Sequence, residues 1–96
     1  MNIVVELQDK LAVLKIEGRL DTVTAPDLEK KINELDVKEI ILDLANLEYI
    51  SSAGLRVLLS SHKKFAKLDG MKVINVIAAV MEIFEITGFA DILTIE

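Results

Sequence analysis

Apolar positions along the chain change rhythm several times, and each change falls at a polar or glycine-containing break. Residues 3–7 and 11–16 are β-branched, apolar-rich runs on either side of Gln8-Asp9-Lys10, which predicts an antiparallel hairpin with a short turn. The second run ends at Gly18-Arg19-Leu20-Asp21. Residues 22–27 (TVTAPD) then predict a helix start, with a hydroxyl or carboxyl N-cap, a proline in the first turn and an acid behind it. Leu28, Ile32 and Leu35 follow at helical spacing as one apolar stripe. Residues 39–44 are nearly solid Ile and Leu, the pattern of a strand covered on both faces. Leu55, Leu58, Leu59, Phe65 and Ala66 mark a second amphipathic helix, stopped by Asp69-Gly70. Residues 71–76 predict another strand. Residues 78–87 predict a third helix, with Val80, Ile83 and Phe84 inward and Gly88 as its stop. Residues 92–95 predict a short closing strand.

The expected order is therefore ββαβαβαβ, an α/β fold built on a mixed, mostly parallel sheet. It has an N-terminal antiparallel hairpin and right-handed crossover helices. Ninety-six residues are expected to form one domain over 1–96. Sites in such sheets collect beyond the carboxyl ends of the strands, which places residues 18–24, 45–54 and 76–79 in view.

Composition narrows the function classes. The chain has no cysteine, so disulfides and thiolate zinc sites are excluded, and a reducing, cytoplasmic home is expected. No run approaches the ~20 apolar residues of a membrane span, and the alternating first ten residues lack the form of a signal peptide. A net charge of −5 argues against direct nucleic-acid binding. Lys63, Lys64 and Lys67 form the nearest approach to a basic cluster, at a helix end where cations suit the macrodipole. The hydrophobic fraction of 52% allows a sticky surface near Phe84 and Phe89.

A catalytic set is not legible. The single histidine, His62, falls on the apolar stripe of the second helix and is expected to be a partly buried, hydrogen-bonded structural residue. It lies about 15 Å along the helix from Ser52, too far for a nucleophile–base pair. The four glycines form no phosphate-cradling loop, and Glu34/Asp36 and Glu82/Glu85 have the look of surface pairs. No catalytic residue, metal or cofactor is expected.

Residues 49–56 (YISSAGLR) pose the sharpest question. Either Ser51 or Ser52 can cap the second helix, a contribution of about 1 kcal/mol. One hydroxyl suffices, which leaves the other free. Gly54 is then unexplained, because glycine in a helical turn costs up to about 1 kcal/mol against alanine. Small side chains at 51–54 suit a place where something approaches the backbone closely. A phosphoryl group there would meet unpaired N–H groups and the positive end of the helix dipole.

Three stretches carry a resemblance. GRLDTVTA at 18–25, DLANLEYISSAGLRVLL at 43–59 and ITGFADIL ending at Leu93 together resemble the STAS family, in particular the bacterial anti-sigma factor antagonists. The likeness runs over essentially the whole chain. It implies a switch without catalysis of its own. The antagonist binds an anti-sigma factor, which is also a serine kinase of the GHKL ATPase type, and a sigma factor is released. Phosphorylation of a serine at the start of the second helix breaks the complex, and a phosphatase resets it.

Carried onto this sequence, the resemblance implies Ser52 as phosphoacceptor, with Ser51 as the alternative because many relatives have Asp there. Asp21 matches the family's acidic residue at the neighbouring strand end. The implied partner surface comprises Asp21, Thr22, Thr24, Ser51, Ser52, Ala53 and Gly54, and Arg56, one turn beyond Ser52, is added as a partner-contacting cation. Two other roles fit the same fold: a regulatory subunit of an ABC-type lipid transporter, and a small-molecule-sensing module.

Overall fold

The hairpin forms as expected and is longer than its apolar runs. Strands β1 (Asn2–Gln8) and β2 (Leu11–Leu20) pair antiparallel, with Ile3 opposite Ile16 and Leu7 opposite Ala12. Asp9 takes the left-handed conformation in the turn, φ 54°, which a short polar side chain tolerates. The computed structural model describes all of residues 1–96.

β2 organises the sheet because its two halves have different partners. Residues 11–15 pair parallel with β3 (Glu39–Asp43), and β3 pairs parallel with β5 (Gly70–Ile74), giving the order β1-β2-β3-β5. Beyond a register shift at Gly18/Arg19, the end of β2 pairs parallel with β4 (Leu47–Ile50), Arg19 opposite Tyr49 and Leu20 opposite Ile50. Alternation sends Ala12, Leu14 and Ile16 of β2, Ile40 and Leu42 of β3, and Met71 and Val73 of β5 into one core. Helices α1 (Ala25–Glu34), α2 (Ser52–Ala66) and α3 (Ala78–Thr87) add Leu28, Ile32, Leu58, Phe65, Val80 and Phe84 to it.

The mixed α/β architecture is the expected one, with two corrections to its element order. β4 was not in the sequence reading, so β3 is followed by a strand and not directly by a helix. The expected closing strand at 92–95 shrinks to one parallel bridge, Val73 with Ile95. After Gly88 (φ 83°) the chain makes a 3-10 turn at Phe89–Asp91. The Phe89 carbonyl accepts from the N–H groups of both Ile92 and Leu93, so only the last residues reach the sheet edge. Phe84 is fully buried and Phe89 half-buried; the exposed large apolar side chain on α3 is Ile86.

Candidate functional site

The β2–β4 pairing is what builds the site. It continues into a hydrogen bond from the Ser51 N–H to the Leu20 carbonyl at 2.9 Å, so the start of α2 is tied to the end of β2. Ser51 is held three ways. Its carbonyl accepts the Leu55 N–H at 2.9 Å, and its hydroxyl accepts the Gly54 N–H at 3.4 Å as the N-cap. The cap is therefore Ser51.

Ser52 is the first helical residue and is exposed. Its hydroxyl makes no hydrogen bond within the chain. The N–H groups of Ser52 and Ala53 also have no intrachain acceptor, as expected of a helix's first donors. No acid occupies the first turn of α2, so the positive end of the helix dipole is unopposed by a side chain on that turn.

Gly54 has a structural explanation. A Cβ at this position would lie 2.8 Å from Ile50 Cγ1, 2.8 Å from Leu20 Cγ and 2.9 Å from the Leu20 carbonyl oxygen. The glycine lets α2 sit directly on the ends of β2 and β4. It is buried, so it shapes the site from beneath.

On the facing strand end, Asp21 folds the entry to α1. Its Oδ1 accepts from the N–H groups of Val23 at 3.0 Å and Thr24 at 3.1 Å, and its carbonyl accepts the Ala25 N–H at 2.8 Å. Asp21 thus orders the loop ahead of α1, while the N-cap position is Thr24, which makes no side-chain cap bond, so the side-chain cap expected within residues 22–27 does not form. The Thr24 hydroxyl accepts the Asp21 N–H at 2.8 Å and donates to the Arg19 carbonyl at 2.8 Å. The Asp21 carboxyl is held below the ordinary aspartate range, first by the Thr24 backbone N–H, then by the Thr24 hydroxyl, the Val23 N–H and the Arg19 charge. Arg19 Nε stands 3.8 Å from Asp21 Oδ2, and its guanidinium lies 4.2 Å from the centre of the Tyr49 ring.

Thr22, Ala53 and Arg56 line a groove of about 400 Å³ between α1 and α2, with Glu29 on the opposite wall. Arg56 is exposed and forms no ion pair. Of the residues singled out in the sequence, Asp21, Thr22, Ser51, Ser52, Ala53 and Arg56 thus gather at the β2, α1 and α2 junction. Thr24 is turned toward the loop's own backbone, and Gly54 lies inside. Arg19 and Tyr49 were missed, because their neighbour relation depends on β4. His62 is half-buried, but its Nδ1 is buried without a hydrogen-bond partner, against the expectation of a bonded histidine. No three His, Cys, Asp or Glu side chains gather as a metal site requires, and no helix is long and apolar enough to cross a membrane.

Comparison with known proteins adds an independent observation. The STAS domain family model matches residues 2–96. The anti-sigma-B factor antagonist of Staphylococcus aureus is 30% identical over 97 residues, covering 97% of this chain and 90% of that protein. The crystal structure of an anti-sigma factor antagonist from Mycobacterium paratuberculosis aligns with a TM-score of 0.87 at 28% identity, over 98% of this chain and 83% of that one. The Bacillus cell fate determinant SpoIIAA, solved in its phosphorylated form, shares the fold with a TM-score of 0.76 at 18% identity, over 99% and 91% of the two chains.

Proposed function

The chain belongs to the STAS domain family, and on that basis we propose that it acts, as one domain, as an anti-sigma factor antagonist switched by phosphorylation of Ser52. Its partner is an anti-sigma factor that is also a GHKL-type serine kinase. Binding of the unmodified chain frees a sigma factor, phosphorylation ends that binding, and a phosphatase restores it.

The observation that supports this reading most directly is the division of labour between the two serines. Ser51 is engaged as the cap, while the Ser52 hydroxyl is exposed and unbonded at the first position of α2. In the transfer step, Ser52 Oγ attacks the γ-phosphorus of ATP held by the kinase. The bond to the β-phosphate oxygen breaks, ADP leaves, and a base on the kinase takes the hydroxyl proton. The product carries about −1.5 to −2 charges at a helix N-terminus that tolerates them. The domain stays folded and its docking surface changes charge and shape. The new anion stands on a surface that already carries Asp21 and, on β4, exposed Glu48, so a partner fitted to the neutral hydroxyl loses that contact and meets repulsion.

Incubation with the GHKL-type partner and ATP, followed by peptide mapping, tests the assignment. One phosphate on Ser52, absent in Ser52→Ala and retained in Ser51→Ala, is the expected result. Phosphate on Ser51, or none with an active kinase, overturns it.

A further inference from the structure

Beyond the switch, the geometry of β1 points to a second interaction surface, and we infer that the free edge of β1 pairs antiparallel with β1 of a second copy of this chain. β1 is the terminal strand of the order β1-β2-β3-β5, so one of its edges has no partner. Natural edge strands are normally guarded by lysine, proline, a bulge or short length. β1 is seven residues long, NIVVELQ, and its ladder with β2 is unbroken from Asn2 to Gln8. Its one charge, Glu6, is already paired with Lys15 of the same chain at 3.1 Å. Met1, Val4 and Leu7, three of the eight large apolar side chains left exposed, sit on this strand or at its start.

The occupant is identified by the strand's own symmetry. Five of the seven positions of β1 match in polarity about Val5, with Asn2 and Gln8 outermost, Ile3 and Leu7 next and Val5 central, while Val4 and Glu6 differ. A two-fold axis through Val5 therefore sets Ile3 opposite the copy's Leu7, Val5 opposite Val5, and Asn2 opposite Gln8. Ile3, Val5 and Leu7 lie across from Ile16, Leu14 and Ala12, all fully buried, so they share the core-side face. Leu7 is the member of that face left 64% exposed, and the copy's Ile3 is the group placed to cover it. Glu6 meets Val4 and not another carboxylate, so no like charges stand directly opposite. The alternative register, centred on Val4, leaves Leu7 beyond the last paired residue. Pairing about Val5 joins the two sheets in the order β5-β3-β2-β1-β1-β2-β3-β5. One strand pair is a small interface, so the association depends on concentration.

Sedimentation equilibrium over a wide concentration range tests the pairing, with Leu7→Lys as the variant. Wild type should shift from one chain to two as concentration rises. Leu7→Lys, with an unchanged circular dichroism spectrum, should stay at one. The register has its own test, because the chain has no other cysteine. Under a mild oxidant Val5→Cys should form a covalent two-chain species, as directly opposed residues about 4.5–5.5 Å apart allow, and Val4→Cys should not. A wild-type monomer throughout, a dimer indifferent to Leu7→Lys, or crosslinking through position 4 instead of 5 overturns the inference.

Discussion

Gly54 stands against the carbonyl of Leu20 so closely that a Cβ on it would lie 2.9 Å from that oxygen. The contact is with backbone, which cannot rotate away as a side-chain end can. Gly54→Ala should therefore destabilise the fold by about 1–3 kcal/mol through overpacking, in spite of alanine's better helix propensity. Urea denaturation measures this directly, with a lowered midpoint and an unchanged slope as the expected form.

The two adjacent serines should separate in the same assay. Ser51→Ala removes the cap and should cost about 0.5–1 kcal/mol, at the lower end of cap values because the bond is long. Ser52→Ala touches no intrachain bond and should fall within about 0.5 kcal/mol of wild type. A stability loss at Ser52 equal to that at Ser51 would mean that both hydroxyls serve the helix.

Asp21 should give the site a signature in acid. Its carboxyl is held below the ordinary range by the Thr24 and Val23 N–H groups, the Thr24 hydroxyl and Arg19. The folded state therefore binds its proton less readily than the unfolded chain. Asp21 contributes stability above the unfolded pKa of about 4, and that contribution is lost as pH falls through the lower folded-state value. The difference in stability between wild type and Asp21→Asn should be constant near neutrality and shrink toward strong acid. Carboxyl-detected NMR titration of Asp21, with a midpoint below the ordinary aspartate range, is the direct check.

Much of this architecture was legible because its signals are local. Gly88, left-handed at φ 83°, marks the end of α3 in the sequence as it does in the structure, and the two runs around Asp9 announce the hairpin. β4 was not legible. Its buried residues, Leu47 and Ile50, are three apart with two exposed residues between them, so they show no two-residue alternation. Its pairing also depends on a register shift in β2 some thirty residues earlier. The site inherited that gap: the serines and Asp21 were visible as residue types, but the stacking of Arg19 on Tyr49 exists only through β4. Gly54 was conspicuous in the sequence for the cost of glycine in a helix. The reason for it, the approach of Leu20 and Ile50, is a tertiary contact that no local pattern records.

The proposed switch makes Ser52 the group that decides whether the partner binds. The most direct measurement is the affinity of the GHKL-type anti-sigma factor for this chain, unmodified and phosphorylated on Ser52, by calorimetry at one salt concentration. A loss of about a hundredfold on phosphorylation, equivalent to ~3 kcal/mol, with Ser52→Ala retaining binding, is the predicted result. Equal affinity for the two forms would contradict it and leave the serine pair as a cap with a bystander.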